Sequence, residues 1–258
     1  MNNFKNFKYL TNAIISPVIR RKICYIHIPK CGGISIKNSI RSLYGLRSYV
    51  SPGHVFHLDA AASVKSATKV EMGLSDHRKN LLHYALSSKA KFISGHFPLG
   101  EDVLNTYGDN WEFITMLRDP VKRWISNFYY NKFNKNPNHV WKIDQDIEEF
   151  ISTDRASAYG NDYVRQIIGV PNNSTALMDD NIKKSIKILE KFAVVGILED
   201  MVNFQIDFKK IFNVQINLLR ENKSPVNLQK QPVIADDVMN AIIKLCEPNL
   251  AIYNHFKR

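Results

Sequence analysis

The chain has 258 residues, of which 45% are hydrophobic and 23% are charged, and this ordinary composition excludes an intrinsically disordered chain. The length suffices to bury a complete core, so we expect a single domain over residues 1–258. The formal net charge of +11 favours polyanionic partners. It does not distinguish between a nucleotide, an acidic glycan, a nucleic acid and an anionic membrane surface.

The three cysteines, Cys24, Cys31 and Cys246, are scattered along the chain without a CxxC pair. This spacing argues against a disulfide framework and against a structural zinc site. It suits a protein of a reducing compartment, and we expect a cytoplasmic protein.

Residues 1–21 form a basic N-terminal arm. Its apolar patch at residues 13–15 is interrupted by Ser16 and Pro17, so it is too short for a membrane-spanning helix or for the apolar part of a signal peptide. Peripheral contact between this arm and a membrane surface remains open.

The most informative stretch of the chain begins with a predicted strand at residues 24–28, which is short and apolar and is ended by Pro29. Lys30 and a glycine pair follow. Apolar residues at helical spacing then predict a helix: Ile36, Ile40 and Leu43. A strand, a glycine turn and a helix N-terminus direct backbone N–H groups and the positive end of a helix dipole to one point. The stretch therefore predicts an anion-binding site.

Other interpretations of this stretch remain. It can be an ordinary strand-to-helix turn that contains two glycines. A Walker A phosphate loop is excluded, because its lysine follows the glycines whereas Lys30 precedes Gly32 and Gly33. Cys31 lies beside the turn, and the helix N-terminus and the lysine are expected to lower the pKa of its thiol. A catalytic cysteine is therefore a hypothesis, although a small loop residue is the simpler interpretation.

Residues 44–91 are predicted to be an irregular insertion over the acceptor side of the active site. The segment contains four histidines: His54, His57, His77 and His83. Their spacing fits no standard pair of metal ligands, so we expect solvated or helix-capping histidines and no metal site.

A second predicted strand at residues 91–94 is followed by His96. The carboxyl end of a strand is where an open α/β sheet places its site residues. The alternative is an imidazole that packs against Phe97 or bonds a backbone carbonyl, and the two interpretations are equally favoured.

A third strand is predicted to end at Arg118, where Asp119 and Pro120 begin a helix as its N-cap and first residue. Arg118 and Ser126, two turns into the helix, are candidates to converge on a phosphate. A guanidinium suits this role because it binds phosphate in a bidentate manner.

Strands and helices continue to alternate toward the C-terminus. The helix at residues 161–169 ends at a capping glycine and places Asn161 and Arg165 on one face. The apolar run at residues 192–197 is typical of a buried parallel strand. This alternation predicts an α/β protein whose mostly parallel sheet is covered by helices on both faces.

Two of these stretches together resemble motifs of the sulfotransferase superfamily, and more closely its carbohydrate branch (family 2, heparan-sulfate-2-O-like). Residues 28–35 (Ile-Pro-Lys-Cys-Gly-Gly-Ile-Ser) resemble the loop that binds the 5′-phosphosulfate, and residues 117–126 resemble the 3′-phosphate motif. The resemblance leaves residues 44–91 unmatched. It implies a P-loop-like three-layer fold, a sugar hydroxyl as acceptor and no metal. The implied sulfuryl donor is 3′-phosphoadenosine 5′-phosphosulfate (PAPS), which leaves adenosine 3′,5′-bisphosphate as product.

The resemblance also implies roles for particular residues. Lys30 would contact the bridging oxygen of the departing phosphate, and His96 would be the base, with His83 or His54 next in line. The donor would be bound by Lys30 and by Cys31, Gly32, Gly33, Ile34, Ser35, Arg118 and Ser126. Lys30 and Arg118 are expected in two separate positive pockets, one at each end of the nucleotide. Asn161 and Arg165 are candidate contacts to the acceptor.

Two departures from the family pattern bear on donor binding. The family loop usually has threonine where this chain has Cys31 and Ile34, and a hydrogen bond to a charged group contributes about 1.5–3 kcal/mol. We therefore expect weaker or altered donor binding.

Two other functions are compatible with a basic α/β protein. A small-molecule P-loop kinase is disfavoured by the order of the loop and by the lack of an obvious Mg²⁺-holding Asp after a strand. A basic nucleic-acid-binding protein is disfavoured because the basic residues are spread out and no nucleic-acid-binding motif is recognised. We therefore expect no nucleic-acid partner.

Overall fold

The fold is built on a parallel sheet, seen in a computed structural model that describes residues 9–14, 18–136, 139–170, 179–218 and 234–258. The strands of the described sheet are β1 (Ile23–Ile26), β2 (Val55–His57), β3 (Phe92–Gly95), β4 (Glu112–Leu117) and β5 (Val194–Ile197). Their order is β2-β3-β1-β4-β5, and all pairings are parallel. Between β3 and β4 the chain crosses over β1, so the sheet has its topological switch point there.

Helices connect the strands and cover the sheet, which confirms the predicted α/β three-layer fold. The helices are α1 (Gly33–Ser42), α2 (Arg47–Val50), α3 (Ala60–Lys69), α4 (Leu74–Ser87), α5 (Glu101–Tyr107), α6 (Pro120–Lys132), α7 (Ile147–Phe150), α8 (Asp154–Gly160), α9 (Asp162–Ile168), α10 (Asp179–Glu190), α11 (Met201–Phe212), α12 (Asp236–Leu245) and α13 (Glu247–Phe256).

The register of the central strands aligns their carboxyl ends. Ile26, the last residue of β1, is level with Gly95 of β3 and with Thr115 of β4. The hydroxyl of Thr115 also donates a hydrogen bond of 2.8 Å to the carbonyl oxygen of Ile26. The side chains that follow these strands therefore gather at one edge of the sheet, as the strand predictions required.

A second apolar cluster fixes α6, the helix that follows β4. Trp124 and Phe128 of α6 stack at 5.9 Å between ring centroids and pack on Phe150. The indole N–H of Trp124 donates to the carbonyl oxygen of Ala156 at 2.9 Å. These buried contacts hold α6 in place, and with it the side chains that it presents to the strand ends.

The prediction of an irregular segment at residues 44–91 is wrong. This segment supplies β2, which pairs with β3, and the helices α2, α3 and α4. The apolar pattern is weak because the buried positions of α3 are small, namely Ser63 and Ala67. One local signal was present: the carboxylate of Asp59 caps α3 by accepting from the backbone N–H of Ala62 at 2.8 Å.

The basic arm at residues 1–21 is described only in part, since residues 1–8 and 15–17 lie outside the described residues. Residues 9–14 are helical, and Tyr9 and Ala13 are buried. Within the described ranges, no helix combines the length and the apolar character that crossing a membrane requires.

Candidate active site at the carboxyl edge of the sheet

The loop between β1 and α1 presents an uncapped helix N-terminus. Gly32 is the N-cap of α1 and has a left-handed φ of 73°, which favours glycine. The N-cap residue makes no side-chain capping bond, and the first turn of α1 contains no acidic residue. Its backbone N–H groups and the helix dipole therefore suit an anion, as the sequence predicted.

Gly33 is required by a residue that the sequence did not single out. A Cβ atom at position 33 would overlap the imidazole of His27. The ring of His27 also lies 4.4 Å from the ring of His96, measured between centroids. Because glycine has no side chain, Gly33 lets the loop between β1 and α1 lie close to His27 and His96.

Lys30 and Arg118 bring two positive charges to this loop. The Nζ atom of Lys30 lies 3.9 Å from the centroid of the Tyr130 ring, and Nη1 of Arg118 donates to the carbonyl oxygen of Lys30 at 3.1 Å. Neither side chain forms an ion pair with a carboxylate in the described part of the chain. Burial, with the charge of Arg118 as a second cause, lowers the pKa of Lys30 to about 8.

This arrangement corrects the expected separation of the two charges. Nη1 of Arg118 bonds the backbone carbonyl oxygen of Lys30, so the guanidinium lies against the lysine loop and not in a separate pocket, while the Lys30 ammonium lies over the ring of Tyr130. The physical reason is that a backbone carbonyl oxygen needs a donor, and the guanidinium beside it supplies one.

The beginning of α6 agrees with its prediction. The carboxylate of Asp119 accepts from the backbone N–H of Lys122 at 2.9 Å, and Pro120 is the first helical residue. Ser126 is half-buried. It lies one helical turn before Tyr130, so it shares the helix face that contacts Lys30.

His96 is held in one tautomer. Its Nδ1 atom lies 2.7 Å from the carbonyl oxygen of His27. A carbonyl oxygen only accepts, so Nδ1 carries the hydrogen and Nε2 carries the lone pair of the neutral ring. Burial is the main cause that lowers the pKa of His96 to about 4, and the charge of Arg78 also lowers it. The imidazole is therefore neutral at physiological pH and can accept a proton at Nε2.

His57, at the carboxyl end of β2, is a neighbouring histidine that the sequence led us to expect as solvated or helix-capping. Its Nε2 atom lies 3.3 Å from Nζ of Lys37, and its Nδ1 atom lies 3.1 Å from the carbonyl oxygen of Ser94. Because a lysine ammonium only donates, Nε2 accepts and Nδ1 donates. Partial burial and the charge of Lys37 lower the pKa of His57.

The two alternative bases named from the sequence lie in other surroundings. His54 precedes β2 and so belongs to the opposite, amino edge of the sheet. The Nδ1 atom of His83 lies 3.4 Å from the hydroxyl of Tyr107, and its Nε2 atom lies 3.8 Å from the carboxylate of Asp102. After His96, His57 is therefore the histidine with the better position.

Helix α9 links the ends of two strands, β1 and β4. The hydroxyl of the buried Tyr163 accepts from the backbone N–H of Arg118 at 3.0 Å, donates to the Arg118 carbonyl oxygen, and lies 3.9 Å from Sγ of Cys31. One turn later, Nε2 of Gln166 donates to the carbonyl oxygen of His27 at 3.0 Å. The only sequence signal for these residues was a polar group on a largely apolar helix.

The two candidate acceptor contacts serve the junction of α8 and α9. Asn161 is 5% exposed and donates to the carbonyl oxygen of Ser157 at 3.0 Å. Arg165 donates to the carbonyl oxygen of Ala158 and to the carboxylate of Asp162, both at 3.1 Å. Their role as acceptor contacts stays a prediction, and this packing does not favour it.

The expected lowering of the Cys31 pKa is wrong. Cys31 is fully buried, and its Sγ atom lies 3.7 Å from the carbonyl oxygen of Pro29. Burial raises the pKa of the thiol to about 12, which outweighs the opposing charges of Arg123 and Arg118. The thiol is therefore neutral, and a catalytic thiolate is excluded.

The rest of the described fold offers no comparable cluster of chemistry-bearing side chains. Among the described residues, no group of three or more His, Cys, Asp and Glu side chains is placed to hold a metal ion. A cavity of about 380 Å³ lies against β5 and α11, but none of the candidate site residues lines it. The chemistry-bearing side chains are thus collected at the carboxyl edge and not in this cavity.

Comparison with known proteins assigns the chain to a family. The profile described as the Sulfotransferase family matches residues 12–257. No curated protein matches the sequence significantly. The solved structure of mouse sulfotransferase SULT7A1 complexed with PAP is similar over 92% of this chain and 68% of that chain, with 12% identity and a TM-score of 0.41. Because the family profile spans nearly its whole length, the chain belongs to the sulfotransferase family.

Proposed function

We propose that this protein is a PAPS-dependent carbohydrate O-sulfotransferase, with His96 as the base and Lys30 as the residue that stabilises the departing phosphate. The observation that carries the proposal is the bond from His96 Nδ1 to the carbonyl oxygen of His27. It directs a neutral base to the strand end from which the lysine loop begins.

The charge of the loop fits the donor. The N-terminus of α1 is uncapped and has no acidic residue in its first turn, and Lys30 and Arg118 lie beside it without a carboxylate partner in the described structure. PAPS, when bound, supplies a sulfuryl group on a phosphate leaving group. The 5′-phosphosulfate would be held by Lys30 and the loop from residue 31 to 35, and the 3′-phosphate by Arg118 and Ser126.

Arg118 has donors for this role. It uses Nη1 on the carbonyl oxygen of Lys30, and a guanidinium carries five N–H groups. The remaining N–H groups of the planar fork suit bidentate contact with a phosphate. Ser126 adds a hydroxyl on the α6 face that carries Tyr130.

His96 and Lys30 have complementary tasks in the transfer. The Nε2 lone pair of His96 accepts the proton of the acceptor hydroxyl as its oxygen attacks sulfur. The ammonium of Lys30 and the loop N–H groups lie where negative charge builds up, which is where fixed positive groups accelerate a reaction. The residues of this chain thus supply both the base and the positive groups that stabilise the departing phosphate.

Charge around His96 supports an acidic glycan as acceptor. The charge of Arg78 is one of the causes that lower the pKa of His96. The guanidinium of Arg78 bonds the hydroxyl of Ser63 at 3.0 Å and the carbonyl oxygen of Ala60 at 3.3 Å, and it forms no ion pair with a described carboxylate. An acceptor that carries carboxylate or sulfate groups would supply the missing anion.

The test is transfer of ³⁵S-sulfate from labelled PAPS to a panel of polysaccharides and glycolipids, with acidic and neutral members of equal length. We expect transfer to a hydroxyl of a carbohydrate, with acidic chains preferred. Calorimetry with adenosine 3′,5′-bisphosphate should show binding without metal. Binding of ATP with Mg²⁺ alone would instead favour a kinase, and salt-sensitive binding of DNA without bisphosphate binding would favour a nucleic-acid-binding protein.

A further inference from the structure

The carbonyl oxygen of His27 accepts two side-chain hydrogen bonds. One comes from Nδ1 of His96 at 2.7 Å and the other from Nε2 of Gln166 at 3.0 Å. A carbonyl oxygen has two lone pairs, so both are used. The peptide between His27 and Ile28, where β1 turns into the lysine loop, is therefore fixed by two side chains from distant parts of the sequence.

Gln166 is itself held firmly. Its own carbonyl oxygen accepts from the backbone N–H of Leu99 at 2.8 Å, and the next carbonyl, that of Ile167, accepts from Gly100 at 3.0 Å. Leu99 and Gly100 follow His96 by only three and four residues. Gln166 thus makes two kinds of contact near His96. Its backbone bonds Leu99, shortly after His96, and its side chain bonds the His27 carbonyl that His96 also bonds.

Fixing the carbonyl matters because a neutral imidazole has two tautomers. With the His27 carbonyl oxygen facing Nδ1, the tautomer with hydrogen on Nε2 would set the Nδ1 lone pair against an acceptor, which is repulsive. That repulsion persists only while the carbonyl keeps its direction. Without the second donor, the peptide can turn and the unwanted tautomer becomes accessible.

We propose that Gln166 is a positioning residue for the base: by fixing the carbonyl of His27 it keeps hydrogen on Nδ1 of His96 and the lone pair on Nε2. The predicted effect of Gln166 on the rate of sulfate transfer rests on the proposed function, whereas its predicted effect on the tautomer of His96 does not. The tautomer can therefore be measured separately from the activity.

The experiment is long-range ¹H–¹⁵N NMR of histidine-labelled protein at neutral pH, with the His96 signals assigned by their loss in His96→Asn. Gln166→Leu and Gln166→Met remove the donor and keep good helix formers of similar size. The control is Gln205→Leu. Gln205 also donates its side-chain N–H to a backbone carbonyl, that of Ile216 at 2.9 Å, and belongs to α11.

We expect His96 of the wild type and of the Gln205 variant to be the Nδ1–H tautomer, and either Gln166 variant to show Nε2–H. The kcat for sulfate transfer should fall by about 10–100-fold, the range for residues that orient a functional imidazole, with the KM for PAPS unchanged. An unchanged tautomer in the folded Gln166 variants would overturn the inference. If the Gln166 variants change the tautomer but the wild type itself shows no sulfate transfer, the inference about Gln166 is upheld and the proposed function is overturned.

Discussion

The guanidinium of Arg118 donates a hydrogen bond of 3.1 Å to the carbonyl oxygen of Lys30, so the lysine loop is positively charged before any anion binds. Burial of Lys30 and the charge of Arg118 both disfavour its ammonium and lower its pKa to about 8. A bound polyanion would reverse the second effect, because an opposite charge favours the ammonium.

The first prediction is a bell-shaped pH dependence of kcat/KM. Activity should rise with pH as His96 loses its proton near its pKa of about 4, and should fall as Lys30 loses its charge near its pKa of about 8. In kcat, measured with saturating donor, the alkaline limb should lie at higher pH. The variant Lys30→Arg should lack the alkaline limb, because arginine stays charged. A kcat/KM that is flat from roughly pH 7 to 9 would contradict this role of Lys30.

The second prediction concerns His96→Asn. The asparagine amide can still donate a hydrogen bond toward the carbonyl oxygen of His27, but it cannot accept a proton as a base. The kcat should fall by about 10²–10⁴-fold, the usual contribution of general base catalysis, while the Kd for adenosine 3′,5′-bisphosphate should stay unchanged. His255→Asn is the control, because His255 is an exposed residue of α13 that pairs with Glu190 at 3.0 Å. Wild-type turnover in His96→Asn would contradict the role of His96 as the base and would make His57 the next candidate for that role.

The third prediction concerns Tyr163→Phe, which removes only a hydroxyl. The backbone N–H of Arg118 then loses its acceptor, and an unsatisfied buried donor costs about 1–3 kcal/mol of the free energy of unfolding. Denaturant unfolding should show this loss. Calorimetry should show weaker binding of the bisphosphate, because Arg118 loses its anchor. Tyr84→Phe is the matched control, since the Tyr84 side chain is 67% exposed, and it should change neither quantity.

The fourth prediction concerns Gly33→Ala. The new methyl group would overlap the ring of His27, and overpacking of this kind costs about 1–3 kcal/mol of the free energy of unfolding. Because His27 contacts His96, kcat should fall as well. Adding His27→Ala should recover part of the stability and give a coupled, non-additive double-mutant cycle. Gly73→Ala is the control, because its new Cβ would meet only the flexible carboxylate of Asp76 at 3.1 Å. Additive effects would show that the two positions are independent.

Local chemistry explains what could be predicted from the sequence. The strand ends before the lysine loop, before His96 and at Arg118 were marked by proline, glycine and the Asp-Pro helix start, all of which act on adjacent residues. A parallel sheet then places these ends at one edge. Strand assignment from pattern therefore sufficed to collect the main candidates.

The missed residues act at long range. Gln166 bonds a carbonyl 139 residues away, and Tyr163 bonds a backbone group 45 residues away. Such contacts impose no spacing on neighbouring residues, so the sequence shows at most a polar group on a largely apolar helix and does not identify its partner. The adjacency of Arg118 and Lys30 was missed for the same reason, and β2 was missed because a strand of three residues is too short to show a pattern.

The central position of β1 has a consequence for the synthesis of the chain. Its partners are made long after it, since Ile26 pairs with Gly95 and with Thr115. β1 can therefore complete its pairing only after residue 117 has left the ribosome. Closing such long loops is slow. β1 thus keeps two open sides until β3 has been made and one open side until β4 has been made, and unpaired strand edges of this kind make a nascent chain prone to aggregation.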